Sequence, residues 1–168
     1  DSKLQSIFYT YIRLGIFASL FKLEGHIGKT TVNTDVNVKL IHKIRSPNGI
    51  DLDRTDPGTV LVVASTLGNA VKRIKVSEDN AEEILTMRLR KSNAKSPSHW
   101  PDGLICLENG DVLVAAYGSG QILYLAKDGN QYRGPFMIAE GLGHPTDLVI
   151  GLSSQDKTRS LFVTTKEA

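Results

Sequence analysis

The segment PDGLICLENGDVLVAAYGSGQILYLAKDGN, residues 101–130, carries the pattern that decides the fold. Three short runs, 104–107, 112–116 and 122–126, are rich in Leu, Ile, Val and Ala, and turns containing Gly, Asn or Asp separate them. Runs of this length and composition are typical of β-strands rather than helices. Because Gly, Asn and Asp tolerate the positive φ angles of tight hairpins, the segment predicts an antiparallel sheet.

The same pattern extends along the rest of the chain, which predicts an all-β protein. Turn sequences at 56–58, 108–111 and 127–130 should connect strands in tight antiparallel hairpins. Residues 78–90 have the composition of a helix but also alternate between apolar and polar residues, so helix and strand are both open there. The predicted strands are 19–23, 38–44, 60–64, 70–76, 104–107, 112–116, 122–126 and 161–165.

A repeated unit begins at Pro47, Pro101 and Pro145. Each proline is followed by polar residues, an apolar strand, a turn and a second apolar strand, and the first two units continue into a third strand. The prolines are 54 and 44 residues apart, which is close to the size of one blade of a β-propeller. The chain 1–168 is therefore predicted to be a single propeller-type domain of three to four blades.

Polar residues stand at equivalent places just after these prolines: Asn48, Asp102 and Thr146, with Asp147 beside the last. In a propeller the innermost strands surround a central axis, so side chains at their starts should reach one shared cavity. Amide, carboxylate and hydroxyl oxygens are ligands that Ca²⁺, Mg²⁺ and Mn²⁺ prefer. The repeat therefore predicts a divalent cation site on the axis.

Three motifs together resemble the senescence marker protein/gluconolactonase (regucalcin-like) family: Ser-Pro-Asn-Gly-Ile-Asp at 46–51, Trp-Pro-Asp-Gly-Leu-Ile at 100–105, and Gly-Asp-Val-Leu-Val-Ala-Ala-Tyr-Gly-Ser-Gly at 110–120. The likeness runs from about Phe17 to the C-terminus. It implies a six-bladed propeller that hydrolyses a sugar lactone or related small ester. It also implies one divalent metal as cofactor, which is Ca, Mg, Mn or Zn.

The resemblance also implies roles for individual residues. Asn48 and Asp102 match two metal ligands, and Asp102 would in addition accept the proton of the attacking water. From position in the repeat rather than from the resemblance, substrate contacts are expected from Thr146 and Asp147 and from two histidines near the repeat prolines, His99 and His144, with loop packing as the alternative for the histidines. The family's third ligand, a glutamate of the first blade, has no counterpart in this sequence.

The length of the chain bears on its completeness. Six blades of about 45 residues need about 270 residues, whereas this chain has 168. We therefore expect it to cover the C-terminal half of such a protein and to be incomplete at the N-terminus. Oligomerisation is expected only if the chain is a true half-propeller, because its open sheet edges would then need partners.

Composition excludes several other classes of function. The 20 Lys and Arg and 18 Asp and Glu residues give a net charge of +2, which predicts no nucleic-acid partner and no anionic membrane surface. The basic residues Lys72, Arg73 and Lys75 are interpreted as a solvated strand face. The single cysteine, Cys106, excludes an intrachain disulfide and is predicted to be a buried, inert thiol. Cytoplasmic and secreted locations both stay open.

Two alternatives to the hydrolase remain. The chain could be a non-catalytic propeller scaffold that binds a protein or small ligand through the same central face. It could also be a related six-bladed esterase or synthase-like propeller with different chemistry on the same axis. A scaffold would tolerate the loss of Asn48 and Asp102, whereas a lactonase would lose its metal and its turnover.

Overall fold

In a computed structural model, every regular element of the described residues is a β-strand, which confirms the all-β prediction. The thirteen strands are β1 (Ser6–Gly15), β2 (Lys22–Thr31), β3 (Lys39–Arg45), β4 (Pro47–Asp53), β5 (Thr59–Ser65), β6 (Ala70–Val76), β7 (Ala81–Arg88), β8 (Pro101–Cys106), β9 (Val112–Ala116), β10 (Gln121–Asp128), β11 (Gln131–Ala139), β12 (His144–Leu152) and β13 (Arg159–Lys166). The structure describes residues 6–15, 22–31, 39–77, 80–89, 98–152 and 158–167.

The strands form four antiparallel sheets in chain order. Sheet A contains β1 to β3, sheet B contains β4 to β7, sheet C contains β8 to β11, and sheet D contains β12 and β13. Within each sheet every strand pairs with the next strand along the chain. This meander follows from the short turns, because connections of a few residues can join only adjacent antiparallel strands.

The predicted hairpins are confirmed. The 56–58, 108–111 and 127–130 turns connect β4 to β5, β8 to β9, and β10 to β11. Gly110 and Gly129 adopt φ angles of 85° and 59° in the last two of these turns. Glycine has no β-carbon and adopts such angles without strain, so it suits these two turns.

The sheets stack face to face, and the second strand of each four-stranded sheet is buried on both sides. Leu61 and Val63 of β5 pack with Ile27 of sheet A, whereas Val62 and Ala64 point the other way into a cluster with sheet C. Strand β9 is arranged in the same way, with alternate residues packed toward sheets B and D. A strand covered on both faces needs apolar residues throughout, which explains the unbroken runs in the sequence.

The starts of β4, β8 and β12 meet at one end of the stack, and we call residues 47–49, 101–103 and 145–147 the hub. A β-carbon at Gly49 would lie 2.6 Å from the carbonyl oxygen of Asp102. A β-carbon at Gly103 would lie 2.7 Å from the carbonyl oxygen of Thr146 and from Cα of Asp147. The three backbones therefore approach each other more closely than any residue other than glycine would allow.

Two sequence predictions need revision. Residues 81–88 form strand β7, which decides between the helix and the strand left open over 78–90. The interpretation of the basic residues of β6 as a solvated face is wrong for Arg73, which is 1% exposed. Because sheets A and C cover both faces of β6, Arg73 points into the interior, where Asp53 neutralises it at 2.8 Å.

Residues 19–21 of the first predicted strand, 19–23, lie outside the described residues, and β2 begins at Lys22. The N-terminal sheet contains three strands in the order β1-β2-β3. Within the ranges that the structure describes, no helix has the length and apolar character needed to cross a bilayer.

Candidate metal and substrate site

The hub contains the backbone positions of the polar residues that the repeat predicted. Asn48 and Asp102 are the second residues of β4 and β8, and Thr146 and Asp147 are the third and fourth residues of β12. Asn48 and Asp147 are exposed, whereas Asp102 is half-buried. The close backbone contacts at Gly49 and Gly103 place these strand starts side by side, so all four residues lie at one end of the molecule.

Asp102 and Asp147 form a pair of like charges. Burial raises the pKa of Asp102, and the negative charge of Asp147 raises this pKa further. Oδ1 of Asp147 would lie 2.6 Å from a β-carbon at Gly103, the residue after Asp102, and it accepts a hydrogen bond of 2.8 Å from the backbone N–H of Leu148. A cation between the two carboxyl groups would relieve the repulsion between them.

The donor set fits a hard divalent cation better than a soft one. Within the described ranges, no three His, Cys, Asp or Glu side chains cluster closely enough to hold a metal ion. The hub supplies two carboxylates, Asp102 and Asp147, and the amide oxygen of Asn48 on the adjacent strand. Oxygen donors of this kind suit Ca²⁺, Mg²⁺ or Mn²⁺, whereas Zn²⁺ favours histidine and cysteine ligands.

The hydroxyl group of Thr146 faces the neighbouring strand of its own sheet. Its Oγ1 lies 2.9 Å from Oγ1 of Thr164 and donates to the backbone carbonyl of Thr164 at 3.2 Å. These bonds fasten the start of β12 to β13. Thr146 therefore has a structural partner, and Asp147 is the residue of this pair that stands next to Asp102.

His99 and His144 contact different residues of the turn that connects β9 to β10. Nδ1 of His99 lies 3.0 Å from Oγ of Ser119, and burial lowers the pKa of this histidine, which favours the neutral ring. His144 stacks on Tyr117 with ring centroids 4.6 Å apart, and its Nδ1 donates to the Tyr117 carbonyl at 3.0 Å. Both rings thus contact the 117–120 turn.

Sequence reasoning missed Asn69 as a member of this region. Its side-chain Oδ1 accepts hydrogen bonds from the backbone N–H groups of His99, at 3.0 Å, and Trp100, at 3.2 Å. Asn69 has a φ angle of 47°, and Gly120, at the equivalent place before β10, has 64°. The sequence therefore did contain a signal for Asn69, because this asparagine stands where the next repeat has a glycine with a positive φ angle.

Cys106 has no role in this site. Its side chain is 6% exposed, and burial raises the pKa of the thiol to about 12. Since only a thiolate is an effective nucleophile, the prediction of an inert buried cysteine is confirmed.

A scan of protein-family models finds none that matches the chain, and a search of curated proteins finds no match. The roles of Asn48, Asp102, Thr146, Asp147, His99 and His144 therefore stay predictions that rest on the chemistry and position of these residues.

Proposed function

We propose that sheets A to D are consecutive blades of a six-bladed β-propeller that hydrolyses a sugar lactone or related small ester with the help of one divalent cation. The observation that carries the proposal is the hub. There the starts of three successive sheets lie side by side, so Asp102 and Asp147 are close enough for their charges to interact and Asn48 stands on the neighbouring strand start.

Three features of the fold support the propeller. Sheets B and C are four-stranded meanders, both faces of their second strands are apolar, and the first strands of sheets B, C and D lie side by side. A radial stack of blades around an axis has these same features, because each blade packs between two neighbours and contributes its first strand to the centre.

Asp102 is the residue best suited to move a proton. A carboxyl group whose pKa lies above its ordinary value is a stronger base when ionised, and it accepts the proton of an attacking water more readily. A bound divalent cation would supply Lewis-acid polarisation of the ester carbonyl and favour ionisation of water. The uncharged amide of Asn48 would bind the cation without neutralising the positive charge that acts on the substrate.

Each bond that forms in this reaction is matched by a bond that breaks. The oxygen of water bonds to the carbonyl carbon while Asp102 accepts the proton that the water loses. The bond from this carbon to the ring oxygen then breaks, and the ring oxygen takes up the proton to become a hydroxyl group. The lactone opens to a hydroxy acid, and Asp102 returns to its ionised form.

The test is Asp102→Asn, which keeps the size of the side chain and removes its charge. We expect hydrolysis of gluconolactone, followed in a pH-stat with Ca²⁺, Mg²⁺ or Mn²⁺, to fall by about 100-fold or more. The rise in melting temperature on adding the cation should also disappear. Asp128→Asn is the matched control, because Asp128 is an exposed carboxylate at the end of β10.

Full turnover in the Asp102→Asn variant would overturn the hydrolase assignment. A wild-type chain that binds no cation and opens no lactone would point instead to the scaffold. Hydrolysis of aryl esters with no action on sugar lactones would favour the related esterase.

A further inference from the structure

The two faces of sheet C are covered to different extents. Sheet B places four strands against one face, and Leu123, Leu125 and Tyr132 of β10 and β11 are buried there. Among the described residues, sheet D places only two strands against the other face. On that side Tyr124 is half-buried and Phe136 is 50% exposed. Sheet C therefore has an open area over β10 and β11.

This open area is apolar and continues a surface that sheet D already covers. Phe136 pairs with Tyr124 across β10 and β11, with ring centroids 6.3 Å apart, so the two side chains share one face of the sheet. Tyr124 packs against the same apolar cluster as Leu161 and Val163 of β13. The exposed ring of Phe136 thus lies just beyond the part of the face that β13 covers.

Two free strand edges border this area. In the part of the chain that the structure describes, β11 is the last strand of sheet C and β13 is the last strand of sheet D. Native proteins commonly protect such edges with charged residues or proline. Pro135 interrupts the first half of β11, but residues 136–139 of β11 and 160–165 of β13 contain neither proline nor a charged residue. These two segments are therefore suited to contact another strand.

A second copy of the chain would fit both edges at once. If β11 of the second copy lies beside β13, its sheet C covers the open area of sheet C in the first copy. A twofold rotation about an axis along the strands then places β11 of the first copy beside β13 of the second. Each copy supplies two strands, β10 and β11, to the face that sheet D covers only in part. Four strands then cover this face, as they do on the side of sheet B.

The ends of the two free strands carry opposite charges. Strand β13 ends at Lys166, which pairs with His144 at the start of β12, and β11 ends at Ala139, shortly before the same start. Both strands therefore run toward the hub. Glu140 and Lys166 are exposed. Because a twofold axis along the strands keeps both residues at the hub end, Glu140 of each copy would lie near Lys166 of the other.

We propose that the chain forms a twofold symmetric dimer through the free edges of β11 and β13 and the surface formed by Tyr124 and Phe136. The interface is isologous, since the same surface of each copy contacts the other. It uses the outer strands of sheets C and D, whereas the hub lies at the starts of β4, β8 and β12. The dimer goes beyond the proposed hydrolase and does not depend on it.

Phe162 lies outside this interface. Leu161 and Val163 pack toward sheet C, so Phe162, which stands between them on β13, points to the other face of sheet D. Association through Phe162 would therefore add further chains to the dimer rather than form it.

Sedimentation velocity of the wild-type chain over about 1–100 µM, without any metal, should show a species with the mass of two chains. We expect Phe136→Lys to raise the dissociation constant by about 100-fold or more, because the interface would then bury an unpaired charge. The melting temperature of the separated chain should not change, since Phe136 is half-exposed there. Ile84→Lys is the matched control, because Ile84 is 39% exposed on β7, the outer strand of sheet B.

An exchange of charges tests the orientation of the two copies. Glu140→Lys brings like charges together at Lys166 of the other copy, so it should weaken the dimer by about tenfold, and Lys166→Glu should do the same. The double variant Glu140→Lys/Lys166→Glu should restore the wild-type affinity, because each pair is again of opposite charge. A local structural effect of one substitution would not be reversed by the other.

Three results would overturn the dimer. The first is a chain that stays monomeric up to about 100 µM, which would leave the open area to a strand of another polypeptide. The second is a dimer that Phe136→Lys weakens no more than Ile84→Lys does. The third is a double charge variant that binds no more tightly than the single variants. Absence of lactone hydrolysis from a dimeric wild-type chain would contradict the hydrolase and leave the dimer supported.

Discussion

Gly103 lies where the starts of β8 and β12 meet, and it sets how closely these two strands approach. Replacing it with alanine would put a β-carbon 2.6 Å from Oδ1 and 2.7 Å from Cα of Asp147. Because a backbone atom has to move, we expect Gly103→Ala to lower the free energy of unfolding by about 1–3 kcal/mol, measured in urea.

Gly58→Ala is the control for this substitution. A β-carbon there would meet only ordinary contacts, 3.5 Å from Oδ1 of Asp56 and 3.8 Å from Cε of Lys75. We expect no loss of stability, and a gain of up to about 1 kcal/mol from the reduced freedom of the unfolded chain. Equal losses in the Gly58→Ala and Gly103→Ala variants would contradict the close approach at the hub.

The sequence predicted some site residues and missed others for a physical reason. Asn48 and Asp102 stand in local motifs at repeat spacing, so their positions in the fold could be predicted from neighbouring residues alone. Asn69 acts through hydrogen bonds to residues 30 and 31 positions later. Contacts of that separation depend on how two turns meet in space, so the one local signal for Asn69 was its position where the next repeat has Gly120.

Strands β4, β6 and β10 are joined by a buried ionic cluster. Oδ2 of Asp53 lies 2.8 Å from NH2 of Arg73 and 2.8 Å from Nζ of Lys127, which connects sheets B and C. Burial would raise the pKa of Asp53, but hydrogen bonds from Lys127 and Thr55 outweigh burial and hold this pKa below its ordinary value of 3.8. The ionised form of Asp53 is therefore the one that stabilises the fold.

This cluster predicts how the protein responds to acid. A carboxyl group whose pKa is lowered by folding stabilises the folded state. This stabilisation is complete above the unfolded-state pKa of 3.8 and is lost as the pH falls through the folded-state pKa. Lys127→Met removes one of the groups that lower the pKa of Asp53, so acid unfolding should begin at a higher pH. At pH 7 we expect a loss of about 2 kcal/mol in urea, since Arg73 still pairs with Asp53.

Lys72→Met is the matched control on β6. Lys72 pairs with Glu83 across the sheet, but the two side chains are 19% and 33% exposed. Solvent weakens such a pair, so the loss should stay below about 1 kcal/mol. If both variants lost the same stability and unfolded at the same pH, the inter-sheet cluster would have no special role.

The strands themselves differ in how well the sequence predicted them. Strands β5 and β9 were predicted almost to the residue, because burial on both faces requires long apolar runs. Strand β11 was not predicted, since Tyr132 is its one fully buried residue and Gly134 and Pro135 interrupt the pattern. Strands at the outer side of a sheet bury little apolar surface, so their sequences carry a weaker signal.

At the scale of the whole molecule, sheet D leaves an apolar surface open. Val149 and Phe162 pair across β12 and β13 and are 57% and 56% exposed. Exposed apolar residues near a strand edge promote association between chains. We expect Phe162→Lys to reduce concentration-dependent association, measured by light scattering over a dilution series.

Leu67→Lys serves as the control for this surface, because Leu67 is 41% exposed on the turn between β5 and β6 of sheet B. It should change neither association nor stability by more than about 0.5 kcal/mol. If Leu67→Lys reduced association as much as Phe162→Lys, general hydrophobicity would be responsible rather than sheet D.

The glycines of the hub have a consequence for how this protein could diversify. Gly49 and Gly103 set the spacing between neighbouring strands, so the side chains of the residues that precede them do not determine this spacing. Positions 48 and 102 already hold an amide and a carboxylate on the same backbone. A library randomised at these two positions should therefore keep its fold in most members while its chemistry varies, and new activities can arise here by substitution without first rebuilding the scaffold.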